Sequence, residues 1–560
     1  MPYAKNKIRV MVPKRSGFDK SHRNSGTMTV GTLTPILCDE LIPGSRFSLK
    51  NNIAVQLPPL VSDTYMNLKL KVEAFFVPGR LLCGSFEDWF CDFPKRVYGR
   101  ESGSVAVFKE GVPALPVFNI VGGDSGSFLR SITAPGSLLD YLGFKSKVSV
   151  GVDYSFNPLP LVAYHLIWQE WYRNPRVQNP CFSPVLPSGY AGDADVPHVW
   201  TIPSWYFMHS FGTNTDFDTQ RVIRFDSDSA ASRAVLADGV SIFKLRQRNF
   251  GLDYFTGSRV SAQQGPQSTI NIELPEDPSD GASVSIAQIR AANSLQQFRE
   301  RNNIPSPRMT DQVKARYNAN LSDGVAQRPI CIGSASYNVG TRGIDQTGAN
   351  DSGNNPFNGV GAQYGRGAGL GSDYLVKDFT ANEPGYVMVL ASLVPEVTYS
   401  SGVAPMFKRY LSEGSITQMA VAQLQNMGDQ PVFAEELLDT LSVGSSGIVF
   451  GFQDRFADFM FMPNEAHGEM RDGRTLDSFV LQRSFNSIPE LSSSFLEIPK
   501  NYLDQVLVAN EAISGFSAWY DTLLEYKVSM PLAEFSLPSL QDPAYEHGES
   551  VVLTRNGQIF

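Results

Sequence analysis

The sequence has little charge, few cysteines and no long apolar run. Charged residues make up 18% of the chain, below the ~25% of an ordinary globular domain. The five cysteines, Cys38, Cys83, Cys91, Cys181 and Cys331, are scattered and include no C-x-x-C pair. That argues against a disulfide framework and against a thiolate zinc site. They read as buried or idle thiols of a reducing compartment. No segment approaches the ~18 apolar residues of a membrane helix. Nor does an apolar stretch follow the charges of the opening Met1-Pro2-Tyr3-Ala4-Lys5-Asn6-Lys7, so no signal peptide is expected. Synthesis and folding are expected in a cytosol-like space.

Catalytic signatures are also missing. Gly123-Asp124-Ser125-Gly126 has the form of a serine-protease nucleophile segment, but that chemistry needs a histidine upstream in a folded region. The only upstream histidine is His22, so the segment reads as a turn. Gly365, Gly367, Gly369 and Gly371 alternate without making a phosphate-binding G-x-G-x-x-G, and read as a flexible loop. The six histidines, His22, His165, His198, His209, His467 and His547, form no H-E-x-x-H or H-x-H pair. Within an aromatic helical run, His165 reads as a core residue. The pairs Asp216/Asp218 and Asp226/Asp228 lack the glycine and distal glutamate of a calcium loop. They read as solvated loop acids. No catalytic residue, cofactor or metal site is predicted.

What is present is core material and a charge imbalance. Apolar residues are 42% of the 560, with 36 Phe and 21 Tyr, which excludes a wholly disordered chain. Period-two patterns mark strands over 46–57, 66–77, 385–394, 447–453, 457–462 and 523–537. Helical spacing appears over 161–173 and 286–301, with short turns of helix at 85–91 and 137–142. The strands are separated by long Gly/Pro/Asn-rich stretches rather than regular helices, so an antiparallel sandwich or jelly roll is expected. Long connections of this kind are usually functional or interacting. The glycine-rich stretch 340–372 is one. Another, 180–220, is too aromatic to float in water and must pack on its own body or on another subunit. Residues 1–23 carry seven basic side chains, Lys5, Lys7, Arg9, Lys14, Arg15, Lys20 and Arg23, against one acid, Asp19. The formal charge of the whole chain is nevertheless −9. Such an arm either binds phosphate backbones, with Tyr3 and Phe18 able to stack on bases, or is a solvated terminus.

A family resemblance rests on a collinear set of segments. It begins at Gly31-Thr32-Leu33-Thr34-Pro35-Ile36-Leu37-Cys38-Asp39-Glu40-Leu41-Ile42-Pro43-Gly44-Ser45-Arg46-Phe47 and continues with Phe75-Phe76-Val77-Pro78-Gly79-Arg80-Leu81. Leu138 to Gly143, Tyr164 to Arg173, Asp253-Tyr254-Phe255-Thr256, Ile289 to Ala292, Phe450 to Asp458 and Leu476 to Phe479 follow in order. Together they resemble the major capsid protein of the Microviridae, gokushovirus-like branch. The resemblance implies a mainly β fold, a single eight-stranded antiparallel jelly roll of viral capsid type with long loop insertions and a few short helices. Residues 1–25 would be an internal basic arm. Residues 26–560 would be one capsid domain with insertions near 79–160, 181–285 and 300–380. Implied too is a homo-oligomeric T=1 icosahedral shell, assembled in the host bacterial cytoplasm around a circular single-stranded DNA genome. The expected partners are an internal scaffolding protein, a small basic DNA-packaging protein, a minor pilot protein and a bacterial host receptor. Relatives carry a long insertion after the Asp253–Thr256 segment, where this chain has only about 261–285. Outer decoration is therefore expected from 181–245 or 340–372. Two competing readings are a glycan-binding β-sandwich adhesin, which the aromatic loops fit, and a β-rich hydrolase, which lacks a convergent acid, base or nucleophile.

Overall fold

A computed structural model describes residues 15–83, 86–90, 95–100, 106–111, 115, 117–121, 131–146, 152–182, 222–225, 235–236, 238–263, 286–303, 305–345, 363–408, 428–441, 447–508 and 515–532. Nine strands carry the architecture: β1 (Ser16–Asp19), β2 (His22–Met28), β3 (Thr34–Leu41), β4 (Ser45–Gln56), β5 (Leu68–Pro78), β6 (Ile330–Asp345), β7 (Gln363–Ala381), β8 (Gly385–Pro395) and β9 (Ala518–Met530). All their pairings are antiparallel. One sheet runs β2-β9-β4-β7 and the other β3-β8-β5-β6. Strand β6 belongs to both: its first part pairs with β5, and Gly340–Asp345 pairs with β7. The two sheets are thus one curled surface, and β2–β9 form an eight-stranded jelly roll.

The patterns dictate this arrangement. In β4 and β9 every second residue is buried. Phe47, Leu49, Ile53 and Val55 lie beside Tyr520, Leu524, Tyr526 and Val528 of the neighbouring strand on the inner face of the roll. The aromatic rings of Phe47 and Tyr526 meet edge to face at 5.5 Å. Each such apolar side chain removed from water contributes about 1.5–3 kcal/mol. In β8, by contrast, all eleven residues are buried. Val387, Val389 and Leu393 point into the roll, while Tyr386, Met388 and Leu390 enter a second core on the opposite side of the sheet.

That second core is built from the first part of the connection between β5 and β6, Leu81 to Phe243 among the described residues, packed on Leu33, Phe75, Val77 and the outward residues of β8. Helix α1 (Leu159–Ile167) continues into a wider π turn, Trp168–Tyr172, closed by the Arg173 amide donating to the Trp168 carbonyl at 3.0 Å. Its aromatics are tied by hydrogen bonds. Tyr164 donates to Leu33 O at 2.8 Å, Trp168 to Gln247 O and Trp171 to Pro329 O at 2.9 Å each. Glu73, on the outward face of β5, receives Tyr172 Oη at 2.5 Å and Arg248 Nη1 at 2.6 Å. The connection between β8 and β9, residues 396–517, packs against the roll interior with Tyr399, Val432, Phe450, Phe495 and Tyr502. There Arg483 lies 4.3–5.1 Å from the rings of Phe250, Phe485 and Phe495.

Three sequence expectations change. The glycine-rich stretch 340–372 is not one loop, since its ends are the paired strands β6 and β7. Nor is 300–380 simply an insertion, because it contributes those two strands to the roll. The alternating glycines form the inner face of β7. A Cβ on Gly365 would fall on the Ser62 carbonyl oxygen, one on Gly367 on Leu57 Cδ1, and one on Gly371 on the Tyr337 ring. Glycine is needed there for space, to let β7 close against its neighbours. The segment 457–462, expected as a strand, is a helical turn over Ala457–Met460. Phe456 turns the chain with φ +64°, and Phe459 and Phe461 stay exposed. An apolar run with no buried face to alternate against does not become a strand.

The glycine face yields a first prediction. Gly365→Ala forces a methyl group onto a backbone oxygen and should destabilise the protein by about 1–3 kcal/mol. Ala368→Val, on the exposed face of the same strand, should stay within about 0.5 kcal/mol. Urea unfolding of the two variants checks the difference.

Candidate nucleic-acid interface

The basic arm begins this site. Lys5, Lys7, Arg9 and Lys14 lie outside the described residues. Arg15, Lys20 and Arg23 lie within them, and the structure places all three along β9. Strand β1 pairs Ser16–Asp19 with Met530–Lys527, and β2 pairs His22–Met28 with Leu524–Ala518. Arg15 Nη2 donates to the Gly44 carbonyl at 2.6 Å and the Ser529 carbonyl at 3.2 Å. Lys20 Nζ reaches both oxygens of Asp39, at 2.5 and 2.7 Å, and lies 5.6 Å from the Tyr526 ring. Arg23 clasps Asp521 through two hydrogen bonds, and Ser25 Oγ adds a third at 2.6 Å. Hydrogen bonds from Arg23 and Ser25 hold the Asp521 carboxyl down to about 2. Two of the seven predicted cations are therefore matched to carboxylates of the roll, and a third to backbone oxygens. Their first structural task is to seat the arm on the sheet.

The arm borders an open face. The outward side chains of β9, β4 and β7 alternate with the buried ones and meet no covering segment among the described residues. Arg46 pairs with Asp378 at 2.5 Å, and Lys50 with Glu525 at 3.2 Å. Lys377 and Lys527 are exposed beside Arg46 around a shallow depression of about 600 Å³. A second depression, about 630 Å³, lies between Arg23 and Leu370, on a floor that includes Ala54 and Leu523. Tyr374 is 60% exposed, with Lys50 Nζ 5.8 Å from its ring centre. Sequence reasoning missed Arg366, Lys377, Lys527 and Tyr374 as a set. The available signal was the period of two in 518–530 together with the glycine alternation, which puts Arg366, Ala368 and Leu370 on one side.

Other candidates resolve into structure. His165 is fully buried. One ring nitrogen lies 2.7 Å from Ile242 O, and Nδ1 accepts from Arg246 Nε at 2.9 Å. Arg246 in turn is ion-paired with Asp238 at 2.5 Å, both being nearly excluded from solvent. Burial, and then the Arg246 charge, keep the His165 pKa well below the ordinary imidazole value. Cys38, Cys181 and Cys331 are free thiols. Burial pushes Cys38 and Cys181 up to about 12, which removes thiolate reactivity. Among the described residues, no cluster of histidine, cysteine and acidic side chains could hold a metal, and no helix is long and apolar enough to cross a membrane. Gly123–Gly126, Asp216/Asp218 and Asp226/Asp228 lie outside the described residues.

The sequence profile of the phage capsid protein (F protein) family matches residues 7–186 and 213–540. The chain belongs to that family. Capsid protein VP1 of Chlamydia phage 1 is 25% identical, across 94% of this chain and 96% of the relative. The VP1 proteins of Bdellovibrio phage phiMH2K and Spiroplasma virus 4 are each 23% identical, across 94% of this chain and 95% of theirs. This major capsid protein is a structural component of a virion, not an enzyme. Membership of the family implies a homo-oligomeric shell around a genome.

His165 gives the capsid protein a pH signature. The unfolded chain takes up a proton at this histidine near pH ~6.5, whereas the folded chain does not until far lower. Stability is therefore whole above pH ~6.5 and falls as the pH drops through that value, by up to about 1.4 kcal/mol per unit. The urea midpoint should decline between pH 7.5 and 5.5. His165→Gln, which can still accept from Arg246 and donate to Ile242, should decline less steeply. Equal slopes would assign the acid sensitivity to other groups.

Proposed function

We propose that this protein assembles into a T=1 icosahedral shell around a circular single-stranded DNA genome, in the cytoplasm of a bacterial host. The observation that carries the reading is the near full-length, collinear match to VP1 capsid proteins. The eight-stranded roll gives it a physical basis. A rigid wedge with long connections can bury surface between copies, and closed symmetry turns many modest contacts into a stable container. Exposed apolar groups suit such contacts. Ile289, Leu295 and Phe298 are half exposed on the helix Ile286–Asn303, and Phe459, Phe461 and Met462 are exposed together near the helical turn at 457–460.

Residues 1–25 form the inner arm in this reading, and 26–560 form one domain whose long connections face neighbours or the outside. Lys5, Lys7, Arg9 and Lys14 neutralise genome phosphates, while Arg15, Lys20 and Arg23 seat the arm and add to its field. An internal scaffolding protein, a small basic DNA-packaging protein and a minor pilot protein are the partners in assembly and delivery. Attachment to a bacterial receptor uses outer loops, with 181–245 as the candidate decoration.

Electron microscopy of the expressed chain tests the shell. Regular closed particles are expected, whereas a monomer that binds glycans would favour an adhesin. For the arm, replacing Lys5, Lys7, Arg9, Lys14 and Arg15 together with serine should lower genome retention and flatten its salt dependence. Unchanged packaging would instead assign the arm to bracing neighbouring subunits.

A further inference from the structure

The roll is asymmetric. Its β3-β8-β5 side is buried beneath Leu81–Phe243 of the connection that follows β5, whereas among the described residues no segment covers the outward face of β2-β9-β4-β7. Charge on that face is lopsided. Asp378, Asp521 and Glu525 are each already ion-paired, with Arg46, Arg23 and Lys50. Asp19 is satisfied by Ser21 and lies in the field of Lys527. Among the described residues, Lys377, Arg342 and Arg366 have no carboxylate partner. Arg342 and Arg366 sit directly opposite each other in the β6–β7 register. Like charges so placed repel, and the one described polar partner of the pair is Gln56, whose Oε1 accepts from Arg366 Nη2 at 3.2 Å. An otherwise acidic chain has thus gathered cations on a face of the roll that no described residue covers. That face also exposes flat or apolar groups, Tyr374, Trp519 and Leu370. Tyr374 and Trp519 stand about six residues apart in register, or roughly 20 Å along the strands at ~3.4 Å per residue.

We propose that this face is a binding track for single-stranded polynucleotide, in which Lys377 and Lys527 at one end, beside the Arg46–Asp378 pair, and Arg342 and Arg366 at the other take phosphates, and Tyr374 stacks on a base. The inference rests on the reading of the chain as a shell around nucleic acid, and adds a second contact surface beyond the arm. Phosphate contacts supply salt-dependent affinity, and a bare aromatic ring stacks on any base without reading sequence. The arm enters this face beside Arg46, through Arg15, so the two surfaces form one continuous path.

Fluorescence anisotropy of the full-length chain with a labelled thirty-residue oligothymidylate, titrated with NaCl, tests the track. Lys377→Glu, Lys527→Glu and Arg366→Glu combined should weaken binding at least tenfold and reduce the log–log salt slope by about 2, at ~0.7 per phosphate contact. Tyr374→Ala should weaken binding roughly 5- to 100-fold with the slope unchanged, and should have no effect on an abasic oligomer. All four positions are exposed, and circular dichroism checks that the variants fold. A fully retained slope in the triple variant overturns the track. If the serine variant of Lys5, Lys7, Arg9 and Lys14 alone abolishes binding, the arm is the contact and the track is rejected. Failure of the unmodified chain to bind at all removes the genome-contact reading together with the track. Loss of self-association rather than of oligonucleotide binding in the triple variant would make the face a contact between copies, and also reject the proposal.

Discussion

A sheet whose central strand is apolar on both sides must be covered on both sides. Strand β8 imposes this requirement, with eleven consecutive buried residues. One cover is the opposite wall of the roll. The other is the long connection 79–329, locked on by the aromatic run 164–172 and by the Glu73–Arg248–Tyr172 contacts. The size of that connection thus follows from a solvation demand as well as from any role at the particle surface. Among the described residues the other sheet has no such cover, and the polar half of each alternating strand there is turned outward.

Inside the cover, polarity is handled by pairing. Arg246 and Asp238 neutralise each other with almost no access to water, and His165 and Tyr164 take up the remaining donors and acceptors around them. Removing one member of such a set leaves a buried charge uncompensated, at a cost of about 3–5 kcal/mol. The network therefore specifies how the cover sits as much as it stabilises it. At the arm the same chemistry works in water, where Arg23–Asp521 and Lys20–Asp39 contribute less but fix which strand edge the arm follows.

Much of the roll is legible in the sequence where side chains alternate visibly. Strands 45–56, 68–78 and 518–530 show one face apolar and the other charged. Strand β7 is harder to read, since glycine carries no side chain to reveal which face is buried; its signal is the spacing of the gaps. The 457–462 segment misleads for the opposite reason: its phenylalanines and methionines look like core but face outward. The arm's cations are obvious as composition, yet their partners are not. Asp521 is 498 residues from Arg23, and no local pattern announces a contact over that span. The open face is hidden likewise, because its members come from strands brought together only by the finished topology.

The placement of β9 has a consequence in time. This strand lies between β2 and β4, both encoded near the start of the chain. During synthesis at ~5–20 residues per second, roughly 25–100 s separate the emergence of Arg23 from that of its partner Asp521. Until then the first strands have no neighbour on their inner edges, and the sheet that carries the arm cannot close. The roll is completed last by its own C-terminal strand, so a nascent or truncated chain lacks both the seated arm and the finished open face. Only a chain that extends through Met530 can then present that surface.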